Sequence, residues 1–529
     1  MPVMDRRTFL ANAAAAGLSL TAVSRALAAG AQRQRVPLTR HDCRVVVIGS
    51  GFGGGVPALR LAAAGVPVLV LERGIRWPTG PNAETFPHAS QPDERMSWLG
   101  SPVIGPVPFP PPVFEPFTGL LERVKGNGID IVCGAGVGGG SLVYQGMSLQ
   151  PSEDVFNATF PEQLDYRRMD REYYPRVAGM LRLATAPDEL IGSENYRAAR
   201  IFGRHVEDAG YPLSKVPMPI DWSYALRELR GEMKPSYTNG DCALGVNNGG
   251  KHSVDVTYIA AAEATGRVQV ATLHNVTDVA LTPDGRWEVF VDRIDTRGRI
   301  QEQKIIRTTA LVLAAGSANT TKLLVRAAGR GRIPDLPDGL GGNWGSNADR
   351  IYMWTNLGED LGAPQGGPVI YASRDWRDPA TANTVIQASL PPLPVKGRST
   401  MLVGYGVSAD RGRFVYDADS DDAVLQWPGD GDAEAYRHIH RRVTTVAGPI
   451  GTVLDTTALD TTTWHPLGGA SMGTVCDLSG RVQGQRGLYV LDGALMPGTT
   501  AACNPSMTIA AVAERAIDTL LAEDIGTVF

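Results

Sequence analysis

The sequence predicts an α/β fold with one domain built on a parallel sheet. Three observations predict it. Residues 43–48 (CRVVVI) form a short apolar, β-branched run of the kind buried on both faces of such a sheet. A glycine turn, GSGFGG at 49–54, follows at once. Residues 56–64 then carry helical apolar spacing before a second apolar run, 66–71, which ends at Glu72. This strand–turn–helix–strand order is that of a Rossmann-like dinucleotide-binding unit.

Each position in the turn has a physical reason. Gly49 permits the tight turn, Gly51 lets the backbone approach a pyrophosphate, and Gly54 lets the helix sit close to the sheet. Phe52 lies within this turn as a further candidate contact to the cofactor, and the N-terminus of the helix that follows faces the phosphates. Glu72, 23 positions after Gly49 at the end of the next strand, is placed to accept the ribose hydroxyls. This fingerprint fits NAD and FAD alike. A second glycine cluster, GAGVGGGS at 134–141, allows backbone N–H groups at Gly136, Gly138, Gly139 and Ser141 to approach a further part of a long ligand, which favours FAD.

At 529 residues the chain is too long for one ordinary core, so two domains are expected. With 43% hydrophobic and 20% charged residues it has the composition of a soluble globular protein. Lys and Arg number 50 against 55 Asp and Glu, a net charge of -5 that is well mixed along the chain. No basic stripe is present, and a nucleic-acid partner is not expected. The five cysteines (Cys43, Cys133, Cys242, Cys476 and Cys503) include no CxxC pair and no histidine at ligand spacing, so no metal site and no disulfide framework is signalled.

Residues 1–30 read as a twin-arginine signal peptide: Arg6-Arg7 in a basic start, an apolar stretch over 13–20, and small residues at 26–28. The expected location is secreted or periplasmic. No later segment offers about 18 uninterrupted apolar residues, so no membrane span is expected. Oligomeric state has no signature in the sequence.

Near the C-terminus the chain reads WHPLGG at 464–469, YVLDGALMPG at 489–498 and NPS at 504–506. With the N-terminal fingerprint and GVGGGSLV at 136–143, this constellation resembles the glucose-methanol-choline (GMC) flavoenzymes, and among them the noncovalent-FAD cholesterol oxidases. The likeness continues through NNGGK at 247–251, TLHNV at 272–276 and AGS at 315–317. The resemblance implies a discontinuous FAD-binding domain (40–150, 251–345 and 460–529) and a substrate-binding domain (151–250 and 346–459) with a mostly antiparallel sheet and helices. It implies contacts to FAD from Met147, Val276, Gly316, Asp492, Gly493 and Pro505 as well. His465 and Asn504 match the pair that holds the substrate oxygen.

The chemistry suits these residue types. Oxidising an alcohol removes a hydroxyl proton and a carbinol hydride, so the site needs a base near the oxygen and flavin N5 near the carbon. Histidine titrates near neutral pH and can act as that base. Asn504 can donate a hydrogen bond to the oxygen. Asn504-Pro505 also reads as the N-cap and first position of a helix over 505–522, whose positive end stabilises negative charge at N1 and the C2 carbonyl of the reduced flavin.

The expected reaction is oxidation of a bulky hydrophobic, sterol-like secondary alcohol to a ketone, with oxygen or another electron acceptor completing the cycle. Three departures from the family bear on the substrate. The stretch 385–394 (VIQASLPPLP) has no carboxylate where sterol oxidases carry the isomerising Glu; Gln387 or Ser389 can bond a ligand but cannot serve as that base, so the steroid isomerase step is doubtful. Tyr144 begins a Tyr-Gln-Gly in place of Asn-Gly-Gly and puts bulk near the substrate, and Ser506 replaces a bulky aromatic. A Pro- and aromatic-rich run, 104–116, suits a stiff loop, either part of a lid over the substrate or a plain surface connection. A dehydrogenase or oxidase acting on another alcohol, such as a secondary metabolite or a sugar, and a flavin-bound lyase are the alternatives.

Overall fold

In a computed structural model that describes residues 36–101, 114–392, 397–458 and 460–529, the run 43–48 forms the inner end of the strand Leu38–Ile48. The chain divides into Met1–Leu38 and Thr39–Phe529. The segment read as an export signal, most of the proline-rich run 104–116, and positions 393–394 lie outside the described residues.

Val45, Val46 and Val47 are wholly buried, as expected for a central strand covered on both faces. Burying each such side chain contributes about 1.5–3 kcal/mol. This strand belongs to a seven-stranded sheet with the spatial order Val268–Ala271, Val68–Leu71, Leu38–Ile48, Ile300–Leu313, Trp287–Ile294, His274–Leu281; Leu488–Val490 also pairs with Ile300–Leu313. Leu38–Ile48 and Val68–Leu71 run parallel, with Val45 opposite Val68 and Ile48 opposite Leu71. The strands from His274 to Leu313 extend the sheet antiparallel. The sheet is therefore mixed.

The helix after the glycine turn spans Phe52–Ala63, starting earlier than the apolar spacing alone predicts. The turn itself makes the first helical turn, because the N–H groups of Gly54 and Gly55 both donate to the Gly51 carbonyl. The helix packs against the last helix, Ser506–Glu523. Their contact is fixed by Glu514, wholly buried, which receives both Arg60 Nε and Nη2 at 2.8 Å and the Tyr258 hydroxyl at 3.0 Å.

A second, six-stranded antiparallel sheet has the order Gly451–Asp455, Arg350–Asn356, Ser399–Gly406, Asn383–Ala388, Tyr371–Asp375, Leu213–Lys215. Strand alternation gives it two different faces. Tyr352, Trp354, Val385 and Leu402 pack on the helices Arg197–Asp208 and Ala433–Ala447. Ile386, Ala388, Val403 and Tyr405 face Met147 and Cys503, with Ile351, Met401 and Trp464 partly exposed beside them.

All five cysteines are free. Among the described residues no helix is long and apolar enough to cross a membrane, and no cluster of potential metal ligands is found.

The close approach of chain segments gives a direct test of this packing. A Cβ on Gly53 would lie 2.5 Å from the Leu491 carbonyl oxygen and 2.6 Å from Asp492 Cα. Gly53→Ala is expected to destabilise the fold by about 1–3 kcal/mol or more. Gly179, in a helix with nothing near its missing Cβ, is the control: Gly179→Ala should be neutral or stabilise by about 0.5–1 kcal/mol. Urea unfolding of the two variants checks the contrast.

Candidate active site

The first glycine turn is held against the sheet by sterics. Gly49 has φ +97° and its Cβ would meet the Ala314 carbonyl oxygen at 2.2 Å, so only glycine fits. Gly54 is tucked behind it and does not reach the cavity. The second glycine loop comes equally close: a Cβ on Gly139 would sit 3.0 Å from Gly51 Cα.

Glu72 ties the two loops together. Its Oε2 accepts from the Ser50 hydroxyl at 2.6 Å, and its Oε1 accepts from the N–H groups of Gly74 (2.9 Å) and Gly136 (3.2 Å). Ser50 Oγ in turn accepts from the Gly138 N–H at 3.1 Å. Ser141 points inward, its hydroxyl accepting from Val254 N–H and donating to the Gly138 carbonyl. Gly136, Gly138 and Ser141 thus shape the second loop without lining the cavity.

A cavity of about 440 Å³ opens beside these loops. Gly49, Gly51, Phe52 and Glu72 line it from the first segment, Gly139, Val276 and Gly316 from the middle of the chain. His465, Asp492, Gly493 and Pro505 complete it from the C-terminal part. Three helices begin at its wall: Phe52–Ala63 after Gly51, Ser317–Gly329 after Gly316, and Ser506–Glu523 after Pro505. Their positive ends favour a ligand carrying negative charge. Glycine walls, a carboxylate that reaches the cavity and three helix N-termini fit FAD.

Asp492 is 3% exposed, and burial pushes its carboxyl up to about 6. It caps the turn Gly493–Leu495 through Ala494 N–H and accepts from Gly316 N–H (2.7 Å) and the Thr320 hydroxyl (2.6 Å).

His465 is set by a residue the sequence did not single out. Asp349, fully buried, accepts from His465 Nδ1 at 2.7 Å through Oδ1. Its Oδ2 accepts from the backbone N–H groups of Trp464 and His465, both at 3.1 Å, and lies 2.8 Å from the Thr463 hydroxyl. A carboxylate only accepts, so Nδ1 carries the proton and the neutral ring has its lone pair on Nε2. The ring stands edge-on to Tyr405, with centroids 5.8 Å apart.

Asn504 is placed differently from its reading as a helix cap. The helix begins at Ser506, with no side-chain capping bond. The Asn504 amide instead donates to the Met147 carbonyl and to Ser506 Oγ (2.8 Å), and accepts from Leu149 N–H (3.2 Å). It does not line the cavity. Tertiary hydrogen bonds have overridden the local Asn-Pro preference, and the Ser506 hydroxyl takes one of its N–H groups.

Met147 and the residues assigned to the substrate also sit outside the cavity wall. Met147 Sδ accepts from the Tyr405 hydroxyl at 3.7 Å. Tyr144 packs edge-on against Phe52 at 5.6 Å, beneath the Lys251 ammonium. Gln387 is a correction: its neighbour across the sheet is Leu402, on the face turned to the helices, and its amide donates to Thr400. Ser389 is buried 4.0 Å from Cys242 Sγ.

Two further features escaped the sequence reading. Arg73 and Glu122 line the cavity as an ion pair at 2.7 Å, with the guanidinium over Trp98. Lys251 is 7% exposed and its ammonium donates to the carbonyls of Leu142 and Tyr144, clamping the chain just after the second glycine loop.

With this geometry in place, comparison with known proteins assigns the class. Profiles of the GMC oxidoreductase family match residues 117–344 and 416–513, together more than half of the chain. The chain belongs to the GMC oxidoreductase family. It is 29% identical to a cholesterol oxidase of Mycobacterium tuberculosis over 328 residues, 59% of this chain and 52% of that protein. It is 25% identical to a cholesterol oxidase of Acinetobacter baumannii over 367 residues, 65% of this chain and 62% of that one. These matches span only about half to three-fifths of the relatives' length. In fold it is similar to pyridoxine 4-oxidase from Mesorbium loti, with a TM-score of 0.62 and 16% identity over 90% of this chain and 99% of that one.

Burial lowers the Lys251 ammonium from its ordinary 10.5 to about 7. Between those values the unfolded chain binds the proton that the folded chain lacks, so stability falls as pH drops across that window and levels off below it. The melting-temperature advantage of wild type over Lys251→Met is therefore expected to be largest near pH 10 and to narrow toward pH 7. A constant difference across that range contradicts the assignment.

Proposed function

We propose that the protein oxidises a bulky, apolar secondary alcohol to a ketone, using FAD held along the glycine-lined cavity. The observation that carries this reading is His465. Its Nε2 is free of protein partners among the described residues, its tautomer is held by Asp349, and its side chain lies on the cavity wall. FAD, when bound, supplies the hydride acceptor.

The chain's own residues do the rest. Glu72, the two glycine loops and Asp492 hold the cofactor. His465 Nε2 takes the hydroxyl proton as the carbinol hydrogen leaves. The N-terminus of Ser506–Glu523 offers positive potential to negative charge developing at the cavity. Trp464, beside His465 on the cavity wall, together with the partly exposed Ile351 and Met401 on the same face of the second sheet, offers apolar surface for the body of the substrate. The relatives that act on cholesterol support a sterol-like alcohol. Since 385–394 holds no carboxylate, a Δ5-sterol is expected to yield the ketone with its double bond unmoved.

The test is an anaerobic absorbance spectrum of the purified protein with a panel of sterols and other bulky alcohols. Bleaching of the flavin by one of them supports the reading; a bound flavin that none reduces counts against it. His465→Ala is expected to keep its flavin and to slow that bleaching by about 10²–10⁴. An unchanged rate removes His465 from the role of base.

A further inference from the structure

We propose that Asp349 and His465 work as a dyad, with Asp349 the positioning residue that presents Nε2 to the alcohol as its proton acceptor. This rests on the oxidative reading above. It takes over the task that the resemblance divided between His465 and Asn504.

Two independent observations converge on it. The Asn504 amide is spent: both N–H groups and its carbonyl are engaged by Met147, Ser506 and Leu149, in a side chain 2% exposed. It has nothing left to offer a substrate oxygen without breaking buried hydrogen bonds. His465, by contrast, is oriented from behind. Asp349 is wholly buried and cannot swing away, because Oδ2 is pinned by two consecutive backbone N–H groups, those of Trp464 and of His465 itself. Backbone and ring of the same histidine thus bind opposite oxygens of one carboxylate.

Two consequences follow for the reaction. The neutral ring is locked with its proton on Nδ1, so Nε2 presents a lone pair. As the alcohol O–H bond breaks and the proton moves to Nε2, the ring becomes cationic 2.7 Å from a fixed negative charge in a poorly solvated place. The carboxylate stabilises that product of proton transfer while the proton on Nδ1 stays where it was. No proton needs to pass to Asp349.

The experiment combines a spectroscopic and a kinetic readout. In the holoprotein labelled with ¹⁵N-histidine, and assigned by comparison with His465→Ala, the His465 ring is expected to show a protonated Nδ1, with its proton shifted downfield, and an unprotonated Nε2. Asp349→Asn is expected to lose that downfield proton. It should keep bound flavin and alcohol affinity while slowing flavin reduction at saturating alcohol by about 10²-fold. Asp349→Glu should recover part of the rate. The proposal is overturned if wild-type His465 carries its proton on Nε2, or if Asp349→Asn reduces flavin at the wild-type rate. Should Asp349→Asn fail to fold, the wild-type tautomer still decides. Should no alcohol reduce the wild-type flavin, the oxidative reading fails, whereas the ring spectrum reports on the dyad without any substrate.

Discussion

The hydrogen-bonded carboxylate of Glu72 is the contact on which the cavity depends. It joins Ser50, in the first glycine turn, to Gly136, in a loop 86 residues later, and so sets the gap between two stretches of bare backbone. Burying a carboxylate is costly unless every oxygen finds donors. Here the donors are a serine hydroxyl and the backbone N–H groups of Gly74 and Gly136. The arrangement is self-consistent: glycines bring the backbone close enough to donate, and the carboxylate makes that approach stable.

The same device recurs at two other junctions. Asp492 binds the C-terminal segment to the start of the helix Ser317–Gly329, and Asp349, just before the strand Arg350–Asn356, binds Trp464 and His465 at the start of WHPLGG. Each carboxylate sits where distant stretches of chain meet, and each reads backbone N–H groups that a side-chain substitution other than proline leaves in place. The two sheets divide the labour. The mixed sheet presents glycine turns and helix N-termini to the cavity, while the antiparallel sheet brings Tyr405 edge-on to His465.

Much of this was legible in the sequence because it is local. The run 43–48, the turn 49–54 and Glu72 follow one another in a strand–turn–helix–strand order that backbone sterics dictate, and HPLGG with DGALMPG carries the family resemblance. What was not legible is tertiary. Asp349 lies 116 residues before His465 with no motif to join them. Asn504 next to Pro505 reads as a helix cap, yet its amide turns to the chain at 147–149 because unsatisfied carbonyl and N–H groups wait there. Gln387 sits in a strand buried on both faces, Asn383–Ala388, where no alternation of polarity tells which side chains face the substrate. Lys251 looks like any surface lysine until its ammonium is seen to close on two carbonyls.

The central claim is that the cavity spanned by the two glycine loops and the C-terminal segment holds FAD. The most direct test is to denature the purified protein and identify what it releases by absorbance and mass. FAD at one equivalent per chain is expected. A protein that releases no flavin, and that takes up none when FAD is added to it, rules out this cavity as an FAD site.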